Sequence, residues 1–217
     1  MRLSYSAWKT HDQCPRKYKH SYIDKLPRRP PGNAVNRGLE VHDSIDKYFQ
    51  RKGEEVHPEV RNHYGQWFMQ MREYDFTPEL KFGVDENWEP AEFNDPKAAW
   101  RGLIDLAENL AKGETEMDWY EWKTGKIYQD HAYQSNLYGT IALTCNPEVK
   151  LVRIHNVYFD QKKTETREYK REDLEGLQFL WDKRRSLIMN DEYYGPNPGW
   201  YCRYCDYGKE ANGPCQF

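Results

Sequence analysis

The sequence predicts an α/β fold in which one mixed sheet is flanked by helices. Three observations support this prediction. Apolar residues recur at helical spacing in five segments, residues typical of strands cluster in five others, and helices precede and then alternate with the strands. The 17 Tyr, 8 Trp and 8 Phe provide large side chains for a core, although the mean hydropathy is only −1.09.

Five helices follow from the helical spacing of apolar residues. They are predicted over residues 4–20, 34–50, 59–74, 130–143 and 172–189. In the second helix, His42 falls on the predicted apolar stripe of Val35, Leu39, Ile45 and Phe49. In the third, the predicted buried side consists of Tyr64, Trp67, Phe68 and Met71.

Five strands are predicted where β-branched and aromatic residues cluster between turn signals. They cover residues 79–88, 99–108, 116–124, 149–160 and 164–170. The turn sequence Ala111-Lys112-Gly113 joins the second and third strands and predicts that they form a hairpin. The length of 217 residues suits a single domain covering residues 1–217.

Charge and hydropathy exclude few functions. The 32 Lys and Arg residues against 35 Asp and Glu residues neither indicate nor exclude nucleic-acid binding. No stretch approaches the roughly 20 apolar residues that span a bilayer, so we expect no membrane partner and a cytoplasmic protein (host cytoplasm if the chain is viral). Five cysteines, an odd number, favour metal binding or burial over a disulfide framework.

A carboxylate and lysine pattern provides the first functional signal. Alternation along a strand places Glu121 and Lys123 on the same face, and Asp105 lies on the neighbouring strand amid apolar residues. A buried carboxylate is costly unless its charge is compensated, and a Mg²⁺ or Mn²⁺ ion between Asp105 and Glu121 would compensate it. The alternative is a surface hairpin with an ordinary Glu/Lys pair.

Two further segments carry candidate residues, each with a structural alternative. His42 is a candidate metal ligand, but a histidine on an apolar helix face is more often a core residue. Gln134 and Tyr138 lie four residues apart and therefore share a helix face, where they could equally be a packed Tyr and a capping Gln.

Taken in order, these segments resemble the motif series of RecB-like PD-(D/E)XK nucleases. The matching residues are Gly38-x-x-x-His42, Gly102-x-x-Asp105, Glu121-x-Lys123 and Gln134-x-x-x-Tyr138. The segments Leu3-Ser4-Tyr5-Ser6 and Cys14-Pro15-Arg16-Lys17-Tyr18 are similar to those of AddB-type nuclease domains and CRISPR-associated RecB-like exonucleases.

The resemblance implies a restriction-endonuclease-like core and a metal-dependent DNA nuclease, with an exonuclease favoured over an endonuclease. It implies that His42, Asp105, Glu121 and the Trp122 carbonyl bind the catalytic Mg²⁺ or Mn²⁺, with Lys123 as the catalytic lysine. Gln134 and Tyr138 would line the DNA path. A non-catalytic DNA-binding or processing subunit is the alternative, and a helicase or recombination protein is a possible partner. Glu79 matches an acidic position of relatives only loosely and is left out of the predicted site.

The cysteines indicate a second site. Cys202 and Cys205 form a C-x-x-C motif, Cys215 follows, and Cys14 would complete a set of four thiolates. Spacing alone allows either Zn²⁺ or an iron–sulfur cluster. The resemblance implies a 4Fe–4S cluster in a subdomain built from about residues 1–25 and 190–217. The nine residues between Cys205 and Cys215 exceed the usual family spacing.

Cys145, at the end of an apolar helix, is interpreted as a small buried residue. Four basic runs are candidate phosphate contacts: Arg16-Lys17, Arg28-Arg29, Lys162-Lys163 and Lys183-Arg184-Arg185. Three aromatic residues are either base-stacking or core residues: Trp119, Trp122 and Tyr128.

Overall fold

The structure is a computed structural model that describes residues 1–52 and 55–217. Its five-stranded sheet has the order β1-β2-β3-β4-β5. The strands are β1 (Phe76–Val84), β2 (Trp100–Glu108), β3 (Glu116–Lys123), β4 (Leu151–Tyr158) and β5 (Lys163–Lys170). Strands β3 and β4 are parallel and the other neighbours are antiparallel, so the predicted mixed sheet and the β2–β3 hairpin are confirmed.

Six helices accompany the sheet in the described residues. They are α1 (Tyr5–Gln13), α2 (Pro15–Tyr18), α3 (Asn33–Phe49), α4 (Pro58–Met71), α5 (His131–Cys145) and α6 (Leu174–Met189). A π-helical turn at Lys19–Ile23 extends α2, and a 3₁₀ turn at Trp200–Tyr204 carries Cys202 and ends just before Cys205. Helix α5 connects the parallel strands β3 and β4, as a crossover between parallel strands requires.

The helices form two layers, one on each face of the sheet. Helices α1, α5 and α6 pack on one face in a core that contains Trp8, Ile141 and Trp181. Helices α3 and α4 pack on the other face around Ile45 and Phe68. No helix of the described residues is both long and apolar enough to cross a membrane.

Two predicted boundaries and one predicted buried face are wrong. The first predicted helix breaks at Cys14, whose backbone is extended because Pro15 follows it. Val35 and Leu39 are exposed, because the buried side of α3 consists of Val41, Ile45 and Tyr48. Two residues rotate a helix by about 200°, so Leu39 and Val41 lie on opposite sides. The first strand ends at Val84, and residues 85–88 form a turn.

Candidate active site

The candidate site lies where the β2–β3 pairing begins to open. Paired positions are Leu106 with Tyr120 and Ala107 with Trp119, and the next position of this register places Asp105 opposite Glu121. Asp105 Oδ2 accepts a hydrogen bond of 2.6 Å from the Trp122 backbone N–H. The carboxylate thus satisfies a backbone donor in the place of a strand carbonyl, which fixes its orientation.

Glu121 is, like Asp105, a buried carboxylate of the site. Its Oε1 accepts hydrogen bonds from Lys123 Nζ at 3.0 Å and from Gln134 Nε2 at 2.9 Å. Its Oε2 is buried and has no hydrogen-bond partner among the described residues. Burial and, second, the charge of Asp105 together raise the pKa of Glu121 to about 7, and Lys123 opposes the shift.

Lys123 is held by two partners. Its Nζ donates to Glu121 Oε1 and, at 2.8 Å, to Gln134 Oε1 on α5. Gln134 Nε2 also lies 3.3 Å from the Tyr138 hydroxyl. The predicted shared face of Gln134 and Tyr138 therefore exists, and it points at the lysine and the carboxylate.

His42 reaches the site from α3. Its Nδ1 lies 3.1 Å from Asp105 Oδ1, and its side chain is partly buried. Burial by itself lowers the pKa of His42, but the hydrogen bond and charge of Asp105, together with the charge of Glu121, raise it overall. One imidazole and two carboxylates, whose chemistry suits a divalent cation, thus lie on neighbouring elements, although in the described residues they do not converge on a single metal position.

Glu79 is a site residue that the sequence prediction leaves out. In the β1–β2 register it lies opposite Asp105, between the pairs Pro78–Leu106 and Leu80–Ile104. Its φ of 52° is left-handed, which a non-glycine residue rarely adopts within a strand. Burial raises the pKa of Glu79, and the charges of Asp105 and Asp46 add to the shift. A third carboxylate therefore borders the site.

Gly102 explains how α5 approaches β2. A Cβ atom at Gly102 would lie 2.5 Å from the Phe82 ring and 2.6 Å from the Tyr138 ring. The absence of a side chain lets Tyr138 pack against β2, which directs the Gln134 face of α5 toward Lys123. Steric contacts therefore explain why position 102 is a glycine, in addition to its place in the sequence motif.

Arg37 joins the elements around the site. Its guanidinium donates to the Thr124 carbonyl directly after β3, to Asp160 after β4 and to Glu59 on α4. The charges of Asp160 and Glu59 raise its pKa. Because Arg37 is one turn before His42 on α3, these bonds fix the helix that carries His42 relative to the strand that carries Lys123.

The four predicted cysteines line one cavity, whose volume is about 20 Å³. Cys14 comes from the break between α1 and α2, and Cys202, Cys205 and Cys215 come from the C-terminal tail. Cys215 reaches the cavity because its N–H bonds to the Tyr207 carbonyl, which folds the long segment after Cys205 back on itself. In residues 1–52 and 55–217, no three His, Cys, Asp or Glu side chains converge closely enough to hold a single metal ion.

His20 lines the same cavity. Its Nδ1 lies 3.1 Å from Asp24, whereas its Nε2 is buried without a partner in the described chain. This buried imidazole nitrogen beside the four thiols is open to a further hydrogen-bond partner, such as a water or a bound group. The donor set is that of a cysteine-bound metal group, so the residues present fit one.

The predicted aromatic and basic residues differ in where the structure places them. Trp119 and Trp122 are core residues, on opposite faces of the sheet, whereas Tyr128 is exposed. Arg184 is packed over the rings of Trp8, Tyr133 and Trp181, which makes it a packing residue and not an exposed phosphate contact. Cys145 is partly buried against the core, and burial raises the pKa of its thiol to about 11.

Comparisons with known proteins agree with the fold. The family model of the PD-(D/E)XK nuclease superfamily matches residues 2–209. A crystal structure described as a "Putative exonuclease" from Eubacterium rectale is similar with a TM-score of 0.55 and 12% identity, covering 96% of this chain and 87% of the other. The crystal structure of SSO0001 has a TM-score of 0.45 and 13% identity, covering 98% and 85%. Curated protein sequences give no match.

Proposed function

Because the chain belongs to the PD-(D/E)XK nuclease superfamily, we propose that it is a metal-dependent DNA nuclease that hydrolyses phosphodiester bonds. The observation that supports this most directly is the enclosed group of Asp105, Glu121 and Lys123, in which Glu121 Oε2 is buried without a partner in the described chain. A structural ion pair would leave no carboxylate oxygen unsatisfied at such a cost.

His42, Asp105, Glu121 and the Trp122 carbonyl would hold Mg²⁺ or Mn²⁺. When bound, such an ion polarises the phosphodiester and lowers the pKa of an attacking water. Glu79 lies close enough to Asp105 to add negative charge to the same side of the site. Hard oxygen donors with one imidazole favour these ions over softer metals.

Lys123 is the proposed catalytic lysine. It orients the attacking water and stabilises negative charge that develops on the phosphoryl oxygens. Gln134 holds both Lys123 and Glu121, so it keeps the ammonium near the carboxylate before substrate binds. Tyr138, whose ring is buried against β2, fixes Gln134 from the next turn of α5, and the half-buried Gln134 would border the DNA path.

We propose that the nuclease is an exonuclease. The crystal structure from Eubacterium rectale is described as that of an exonuclease, and it is similar over nearly the whole chain. At 12% identity, that likeness carries only the fold. The type of cleavage therefore needs a direct measurement.

The test is a nuclease assay with Mn²⁺ or Mg²⁺ on end-labelled single- and double-stranded DNA. We expect the wild-type chain to cut and Lys123→Ala to lose at least about 100-fold in rate, the usual cost of removing a charge-stabilising group. Stepwise shortening from one end would indicate an exonuclease. Equal cutting by Lys123→Ala would refute the catalytic role of Lys123. An inactive wild-type chain that still binds DNA would support a non-catalytic subunit.

For the second site, we propose a 4Fe–4S cluster bound by Cys14, Cys202, Cys205 and Cys215. The four thiols line one cavity, a donor set that either a 4Fe–4S cluster or a Zn²⁺ ion can use, and the resemblance to the RecB-like nucleases favours the cluster. Chain purified without oxygen should absorb visible light and contain about four irons per chain. A colourless preparation with one zinc per chain would show that the four cysteines bind Zn²⁺ and not a 4Fe–4S cluster.

A further inference from the structure

The C-terminal 3₁₀ turn presents two large aromatic side chains to solvent. Trp200 is 72% exposed and Tyr204 is 65% exposed, and their ring centroids lie 6.4 Å apart. Between them, the partly buried Tyr201 places its hydroxyl within hydrogen-bond distance of the Gln13 and Asn197 carbonyls. The turn is therefore anchored, and it holds both exposed rings in place. We call Trp200, Tyr204 and the arginines beside them the tail platform.

The arginines of the tail platform are Arg29 and Arg203. Arg203 lies over the Tyr204 ring at 5.4 Å, and Arg29 donates to the Tyr204 carbonyl at 2.8 Å. Arg29 also pairs with Asp206, so part of its charge is compensated. Both arginines remain on the surface next to the two rings.

The charge beside the platform is unusual for this chain. Residues 16–29 contain six Lys and Arg residues and one acidic residue, although the chain as a whole carries a formal net charge of −3. The Tyr207 hydroxyl donates to the Leu26 carbonyl, which holds the exposed Lys25 and Arg28 next to the tail. This surface therefore attracts a polyanion.

We propose that the tail platform binds single-stranded DNA, with unpaired bases stacked on Trp200 and Tyr204 and phosphates held by Arg28, Arg29 and Arg203. Aromatic stacking needs the free face of a base, which a duplex does not offer along its length. A purely apolar partner would not require this density of arginine. The proposal rests on the proposed function only in that it takes DNA as the polyanion.

The test measures binding without cleavage. Labelled oligo(dT) and a labelled duplex of equal length are titrated with Lys123→Ala protein without added divalent metal. In the Lys123→Ala protein, the double change Trp200→Ala and Tyr204→Ala should weaken oligo(dT) binding about 10- to 100-fold. The same change should weaken duplex binding less. Replacing Arg29 and Arg203 with Ala should weaken binding of both DNAs and reduce the salt dependence.

The matched control is Tyr74→Ala. Tyr74 is 67% exposed, like Tyr204, but it lies between Glu73 and Asp75. This change should leave oligo(dT) binding within about twofold, and Trp200→Phe should restore most of the binding that Trp200→Ala loses. Unchanged oligo(dT) affinity in the Trp200→Ala, Tyr204→Ala protein, with an unchanged melting temperature, would overturn the proposal.

This result is separate from that of the nuclease assay. A wild-type chain that cuts DNA, with a double variant that binds oligo(dT) normally, would reject only the tail platform. A wild-type chain that does not cut, with a double variant that loses oligo(dT) binding, would reject the nuclease and keep the platform. Equal losses by the double variant and by Tyr74→Ala would show a general surface effect and would also reject it.

Discussion

At the scale of single residues, Glu121 shows that the candidate site lowers the stability of the metal-free protein. Its carboxyl group is buried beside Asp105, and its pKa is raised from 4.5 to about 7. A carboxyl group with a raised pKa stabilises the fold below its unfolded pKa and loses that contribution as the pH rises through the folded pKa. The free energy of unfolding should therefore fall as Glu121 ionises, between about pH 4.5 and pH 7.

We accordingly expect Glu121→Gln to stabilise the metal-free protein at pH 8 by up to about 3 kcal/mol and to have little effect near pH 4.5. The measurement is urea unfolding at both pH values without divalent metal. Addition of Mn²⁺ should then stabilise the wild type more than the variant. Glu148→Gln, at an exposed glutamate, is the control and should show no pH-dependent difference. The same stability change at both pH values would contradict the argument.

The individual side chains of the site were predictable from sequence to different extents. Strand alternation and helix spacing predicted that Glu121 and Lys123 share one face and that Gln134 and Tyr138 share another. The resemblance to the RecB-like nucleases assigned these residues, together with Asp105 and His42, to one site. Whether they act as predicted stays a prediction for the nuclease assay.

Glu79 could not be predicted in the same way. It faces Asp105 through the β1–β2 register, and the register depends on pairing that no local pattern specifies. The same limit applies to Trp119 and Trp122, which the sequence left open between core and DNA contact. Both faces of the sheet are covered by helices, so both residues are buried.

At the scale of elements, the order of helices and strands followed from sequence, whereas the closeness of their packing did not. The close approach of α5 to β2 depends on Gly102, since a Cβ there would meet the Phe82 and Tyr138 rings, both of which are buried. Gly102→Ala should therefore destabilise the protein by about 1–3 kcal/mol, or lower the melting temperature by roughly 2–10 °C.

Gly102→Ala should also reduce nuclease activity well below its melting temperature, because displacement of Tyr138 removes its contact with Gln134. Thermal unfolding and cleavage rates of the folded variant measure the two effects. Gly176→Ala is the matched control, since a Cβ on this α6 glycine has no atom within 4 Å in the described chain. It should leave both quantities unchanged or raise the melting temperature slightly. Full activity of Gly102→Ala would show that nuclease activity does not depend on the close packing of α5 against β2.

At the scale of the whole molecule, the two ends of the chain meet at the cysteine cavity. The tail already contacts the first helices through hydrogen bonds, including Asn197 Nδ2 to the Gln13 carbonyl and Arg16 N–H to the Gly195 carbonyl. The sequence predicted this meeting from four cysteines alone. The way Cys215 reaches the cavity, through the Tyr207 carbonyl, depends on a turn that spacing did not indicate.

A metal group bound by these cysteines would connect segments almost a full chain length apart. Closing so long a loop costs little more entropy than closing a medium one, so the binding free energy of the group would stabilise the closed form. Cys14→Ser should therefore lose the metal and free the tail. Limited proteolysis should then cut within residues 190–217 while the sheet stays protected, because only the few hydrogen bonds would hold the tail. Cys145→Ser lies outside the cavity and should keep both the metal and the wild-type cleavage pattern. If Cys14→Ser keeps its metal, Cys14 is not a ligand. If it loses the metal and its tail remains protected, the hydrogen bonds and the Arg29–Asp206 ion pair join the ends without the metal group.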